Sequence, residues 1–206
     1  MSQTPIKIAL IICSTRVPRL GPDVASWVTS TINQVISPNT TLTTLDLADF
    51  PLPISPPGAR IPAQQPLPLR DDAYGDAAVD SWSREVKKYA GFIFVTPQYN
   101  WSFPAAVKVA IDNLFHEWSK KPALIVSYGK WGGFKGNAQL RQVLLGVRMN
   151  PWEGKVLLPT VAGKELELSD KGILDEEVVK IWNGGNEHRE LQAQWKELVE
   201  QASLRG

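Results

Sequence analysis

Short apolar runs that each close in a polar or glycine-rich loop limit what this chain can fold into. Ile6 to Cys13, Gly91 to Thr96 and Ala123 to Tyr128 are apolar almost without interruption. Continuous apolarity of that length, bounded by loop residues, marks a strand buried on both faces. Thr41 to Leu47 and Val156 to Leu158 add two more strands. Helical spacing fills the gaps between them. Val24, Trp27, Val28, Ile32 and Val35 follow Pro22, and Val79, Trp82 and Val86 recur within Asp76–Tyr89. Val107, Ala110, Ile111, Leu114, Phe115 and Trp118 stay in register after Pro104, and Leu140, Val143, Leu144 and Val147 precede Pro151. Two further helices are expected near Asp175–Asn183 and Glu187–Ser203, split by Gly184 and Gly185. Strands alternating with helices of crossover length call for a parallel sheet covered by helices on both faces.

Residues 48–75 break the alternation. Seven of the sixteen prolines fall between Pro51 and Pro68. Proline removes backbone donors and stops helices, so this segment is expected to be an irregular loop or strap. A chain of 206 residues can bury a core of its own without disulfides or structural metal. One cysteine excludes an internal disulfide and any multi-cysteine metal site. Lys and Arg total 22 against 21 Asp and Glu, and both halves of the chain are balanced. Without a basic half, no nucleic-acid partner is expected. No apolar run is long enough to span a bilayer, and no signal-peptide pattern is visible, so a soluble, cytoplasmic protein is expected. His116-Glu117 does not continue into a zinc-protease motif, and no G-x-S-x-G is present. His116 and His188 are read as packed or surface residues, and no metal site is expected.

In an open parallel sheet, ligands sit beyond the C-terminal strand ends, where strand order reverses. Three loops leave such ends. The first offers Ser14, Thr15, Arg16 and Arg19 just before a helix start, which suits a phosphate or, equally, a solvated basic turn. The second, Pro97 to Phe103, carries Tyr99 and Trp101 and could wall a planar heterocycle or simply pack its aromatics. The third, Gly129 to Gly133, would let the backbone approach a flat ligand, or act as a flexible turn. Neither G-x-G-x-x-G nor G-x-x-x-x-G-K-[ST] occurs.

Ser14-Thr15-Arg16 with Arg19-Leu20-Gly21, Thr96-Pro97-Gln98-Tyr99-Asn100 with Pro104-Ala105-Ala106-Val107-Lys108, and Ser127-Tyr128-Gly129 with Gly132-Gly133 resemble the NADPH-dependent FMN reductase family. The resemblance continues through Ile111-Asp112 and Gln139 to Leu144. It implies an α/β flavodoxin-like three-layer sandwich, with a five-stranded parallel sheet of order 2-1-3-4-5. It also implies a flavodoxin-like FMN-binding domain over residues 1–163 with its Pro-rich loop at 48–75. Residues 164–206 lie beyond the resemblance and are expected, from their two helical stretches, to form a C-terminal helical extension packed on that domain. Ser14, Thr15, Arg16 and Arg19 would hold the FMN phosphate. Pro97, Gln98, Tyr99, Asn100, Trp101 and Ser102 would line the isoalloxazine. Tyr128, Gly129, Lys130, Gly132 and Gly133 would meet its pyrimidine edge.

The implied activity is a two-step transfer. NADPH or NADH gives a hydride to flavin N5 and leaves, and a quinone, azo compound, metal ion or free flavin then accepts the electrons. No side chain is required as nucleophile or general base. An FMN-binding protein that acts through a protein partner is the alternative. Cys13 and Lys130 stand where the family commonly has Gly; a Lys130 pointing inward would stabilise the reduced, anionic flavin. A homodimer, or a tetramer, is expected from the large apolar groups of the Asp76–Tyr89 and Pro104–Trp118 segments. Phe50 to Pro53 would then close over the partner's flavin.

Overall fold

The computed structural model describes residues 5–58, 60–160, 168 and 170–204. Its strands are β1 (Ile6–Ile12), β2 (Thr40–Asp46), β3 (Gly91–Pro97), β4 (Pro122–Gly129), β5 (Asn150–Pro151) and β6 (Val156–Pro159). They form one parallel sheet of order β2-β1-β3-β4-β5, with β6 also paired to β4. The expected order 2-1-3-4-5 is therefore present, with its fifth position divided in two. Asn150 and Pro151 pair with the start of β4, and Val156 to Pro159 pair with its end. The described helices are α1 (Gly21–Asn33), α2 (Ala77–Lys87), α3 (Ala105–Asp112), α4 (Phe134–Gly146), α5 (Glu176–Gly184) and α6 (Glu187–Ser203). None of the described helices is long and apolar enough to cross a membrane. The expected boundary between residues 163 and 164 lies outside the described residues.

Alternation along each central strand divides the core in two. Ile8, Leu10, Ile12, Ile93, Val95, Leu124 and Val126 face α1, α5 and α6. Ala9, Ile11, Phe92, Phe94, Ala123 and Ile125 face α2, α3 and α4. The two C-terminal helices lie beside α1. Trp27 packs edge-on against Trp182 at 5.1 Å and donates its Nε1–H to Asn183 at 2.9 Å. Trp182 and Trp195 are buried.

The helix expected to run to Trp118 ends at Asp112. Asn113 donates from Nδ2 to the Val109 carbonyl and to the Pro53 carbonyl, both at 2.9 Å, which ties the helix end to the proline-rich strap. Glu117 then holds the chain in a turn. Its buried carboxylate accepts from the Tyr74 hydroxyl at 3.0 Å, from Ser83 Oγ and from the Phe115 N–H. Leu114 and Trp118 remain buried in this irregular segment, so their helical spacing reflects burial alone.

The same network orders the strap. Phe50 packs on Trp82 at 4.7 Å, and the Tyr74 N–H donates to Asp80 at 2.9 Å. The apolar groups of α2 and of residues 104–118, expected to form an intersubunit face, are core of this chain. Val79, Trp82, Val86, Val107, Ile111 and Trp118 pack on one another.

Lys121 adds a cation to this side of the molecule. Its Nζ donates to the Val86 carbonyl at 2.9 Å and lies 5.4 Å from the centre of the Phe92 ring. Burial pushes its pKa down to about 8, against the opposing pull of Glu117. The folded pKa lies below the unfolded one, so the unfolded chain holds the extra proton between them. This contribution to stability therefore rises with pH from about 8 to 10.5 and is absent below. Replacing Lys121 by Met should remove that slope. In paired denaturant titrations the parent should gain about 3 kcal/mol more than the variant across this window. Equal slopes would show the ammonium to be solvated. Glu117→Leu leaves two hydroxyls and one N–H without their acceptor, and should cost about 2–5 kcal/mol in chemical unfolding.

Candidate functional site

Because β1, β3 and β4 are parallel neighbours, the chain leaves all three at one edge of the sheet. Sheet order reverses at β1, whose two neighbours are β2 and β3. The crevice above that point is where a doubly wound sheet accepts a ligand.

The first loop is shaped by Arg19. Its guanidinium grips both carboxylate oxygens of Asp46 at 2.8 and 2.6 Å and donates to the Ser14 carbonyl at 2.5 Å. This fork joins the end of β2 to the loop after β1 and raises the Arg19 pKa. Arg19, expected among the phosphate ligands, is thus engaged in bracing the loop. Thr15 and Arg16 are exposed, and Arg16 makes no ion pair among the described residues.

Ser14 is buried beneath the start of α1. A Cβ on Gly21 would lie 2.1 Å from Ser14 Oγ and 3.4 Å from the Tyr128 hydroxyl. The two hydroxyls lie against each other there, and neither has a hydrogen-bond partner of good geometry. Burial pushes the Tyr128 pKa up. The first turn of α1 has no side-chain cap. Orphaned hydroxyls below an open helix start match the donor requirement of a phosphate.

The second loop is a tight hairpin. Tyr99 and Ser102 exchange both backbone hydrogen bonds at 2.8 Å, and Asn100 and Trp101 have φ of +46° and +68°. Positive φ at both central residues is a type I′ turn. Pro97 is the buried last residue of β3. Gln98 turns its side chain toward α4, where Oε1 accepts from the Lys135 and Gly136 N–H groups at 3.0 and 3.2 Å. That amide is a helix cap. Tyr99 reaches toward the first loop: burial raises its pKa while the Arg16 and Arg19 charges oppose the shift.

In the third loop the glycines divide by role. A Cβ on Gly129 would meet open space. One on Gly132 would lie 2.5 Å from Leu157 Cβ, and one on Gly133 would lie 2.8 Å from the Tyr128 carbonyl. Gly132 and Gly133, expected to admit a flat ligand, spend their bare Cα atoms on packing against β6 and β4. Ser127 Oγ donates to the Gly132 carbonyl at 2.8 Å and holds the turn down. Lys130 is exposed.

Beside the first loop, Thr15, Leu47, Phe50, Leu52, Ala106 and Val109 wall a cleft of about 280 Å³ between the strap and α3. Sequence reading missed Asp46 and Gly136, and gave Gly21 no role of its own. Asp46 pairs across 27 positions with no local signal. Gly136 lets α4 approach the Ser102 carbonyl, which would be 2.9 Å from a Cβ.

Residues 6–163 match the model of the NADPH-dependent FMN reductase family. The chain is 39% identical over 184 residues to the NAD(P)H-dependent FMN reductase LOT6 of Saccharomyces cerevisiae, covering 85% of this chain and 94% of that one. Identity to the NAD(P)H-dependent FMN reductase ntnL of a Nectria species is 38% over 200 residues, covering 95% and 98%. A quinone reductase of Escherichia coli is 34% identical over 110 residues, covering 48% of this chain and 58% of that one. Among solved structures, the NAD(P)H:(acceptor) oxidoreductase FerB of Paracoccus denitrificans superposes with a TM-score of 0.60 at 19% identity, covering 98% and 99%. An open helix start above two unsatisfied hydroxyls, at the reversal point of a 2-1-3-4-5 sheet, is thus found in a chain that belongs to the NADPH-dependent FMN reductase family.

Proposed function

We propose that this chain is an FMN-dependent NAD(P)H oxidoreductase that delivers two electrons to a small acceptor: a quinone, an azo compound, a metal ion or a free flavin. The observation that carries the reading is the pair of buried, unsatisfied hydroxyls of Ser14 and Tyr128 under the α1 start. Bound FMN supplies the relay of electrons between donor and acceptor.

The chain's own residues bind and orient. Ser14, Thr15, Arg16 and the first N–H groups of α1 take the phosphate, while Arg19 holds that loop in shape through Asp46. The backbone of Pro97 to Ser102 and the Tyr99 ring line one side of the isoalloxazine. The Tyr128 backbone and the open face of Gly129 meet its pyrimidine edge. Gln98, Gly132 and Gly133 fix the positions of these loops. The cleft beside Thr15, with Leu47, Phe50 and Leu52 in its wall, leaves room for an aromatic acceptor. The donor leaves before the acceptor enters, because both need the same open face. A cytoplasmic homodimer completes the reading. Exposed Leu145 and Trp152 support the pairing, and a free, buried Cys13 supports a reducing compartment.

Purified protein should be yellow, lose that colour with NADPH under anaerobic conditions, and recover it on addition of a quinone. A colourless protein that binds no added FMN would overturn the reading. Flavin that binds but never bleaches would favour a non-catalytic flavin carrier. Arg16→Ala should weaken FMN binding by about 1.5–3 kcal/mol, the scale of a hydrogen bond to a charged group, in a fluorescence titration. Unchanged affinity would remove Arg16 from the phosphate site.

A further inference from the structure

Two tryptophans stand at the rim of the crevice in a backbone conformation that disfavours them. Trp101 has φ +68° and Trp131 has φ +56°. A bulky residue in the left-handed region is strained, and such positions ordinarily hold Gly or Asn. Burial does not compensate the strain, because Trp101 is 68% and Trp131 is 72% exposed. Strain held at a functional rim without a packing return points to a ligand.

The surroundings specify its chemistry. Lys135 Nζ lies 4.8 Å from the Trp101 ring centre and 5.1 Å from that of Phe134, so the ammonium is held between two aromatic faces. Lys135 sits in the first turn of α4, where a cation opposes the helix dipole, so the helix gains nothing from its charge. Lys130 is exposed directly before Trp131. Among the described residues neither lysine makes an ion pair. Indole faces beside unpaired ammonium groups complement a planar base that carries phosphate. The second and third loops follow the adjacent parallel strands β3 and β4, so these residues emerge at the same edge of the sheet as the crevice. A nicotinamide placed in the crevice leaves its adenosine end outside.

We infer that Trp101, Trp131, Lys130 and Lys135 form the subsite for the adenosine end of NADPH, with the two lysines taking the 2′-phosphate. The inference rests on the oxidoreductase reading for the identity of the nucleotide. The rim therefore selects NADPH over NADH.

The probes are adenosine 2′,5′-bisphosphate and AMP, which differ only in the 2′-phosphate, measured by calorimetry on the purified, FMN-loaded protein. The bisphosphate should bind at least tenfold more tightly than AMP. The double variant Lys130→Gly, Lys135→Gln should bind the two alike. Trp131→Gly should weaken both nucleotides by about tenfold, and it should raise the thermal unfolding midpoint because Gly relieves the positive φ. In steady state, the ratio of kcat/KM for NADPH over NADH should fall in the lysine variant. Equal binding of the two probes by the parent, or an undiminished preference in the lysine variant, would overturn the subsite. So would nucleotide binding unchanged in Trp131→Gly while sedimentation shows dissociation of an oligomer, which would make the rim a contact between copies. If the probe pattern holds but NADPH never bleaches the flavin, the oxidoreductase reading fails and the subsite stands.

Discussion

Water reaches neither face of β3, of β1 from Ile8 to Ile12 or of β4 from Pro122 to Tyr128, and the site depends on that exclusion. A strand buried on both sides must satisfy its backbone groups through its neighbours in the sheet and cannot shift register without exposing one apolar face. Ile8 to Ile12, Phe92 to Val95 and Ala123 to Val126 are locked side by side for this reason. Their three following loops then emerge together, and no loop residue has to find the others. Polar groups that would be costly inside the sheet appear where the strands end, at Ser14, Thr96 and Ser127.

Given that placement, much of the polar chemistry at the edge serves geometry. Arg19 spends its fork on Asp46, and Gln98 spends its amide on the start of α4. The starts of α1 and α4 are treated in opposite ways. Gln98 satisfies the N–H groups of α4 and closes that helix to a ligand. Leu20, at the N-cap of α1, carries no capping oxygen and leaves that start uncapped. Two helix starts at the same edge thus differ in availability, and the available one lies above the two unsatisfied hydroxyls.

Those differences mark the limit of what the sequence discloses. The helix alternation, the parallel sheet and the three loops are legible because they follow from local periodicity and from known linkage rules for parallel strands, whereas the order 2-1-3-4-5 is expected only through the family resemblance. The end of α3 is not legible. Leu114 and Trp118 keep helical spacing in a segment that Asn113 and Glu117 hold out of helix, through partners as distant as Pro53 and Tyr74. The division of the fifth strand is hidden in the same way, since the β4 backbone sets where Asn150 and Val156 pair. Gly132 and Gly133 are visible as glycines, but whether their bare face meets a ligand or Leu157 depends on where β6 lies.

The rim shows how the same fold can carry strain. Trp101 is fixed by the Tyr99–Ser102 hydrogen bonds on one side and by Gln139 donating to its carbonyl on the other. Trp131 is fixed by Ser127 gripping the Gly132 carbonyl and by the tight seating of Gly132 on Leu157. Each strained residue is held by neighbours that answer to the core, so the loop cannot relax without disturbing β4 or α4. Strain persists only where surrounding structure over-determines it. Here the over-determination comes from the sheet, which fixes the backbone that carries the two exposed indoles. Rigid aromatic faces lose little conformational entropy when a planar ligand stacks on them, so a fixed rim binds such a ligand more tightly than a mobile loop with the same residues.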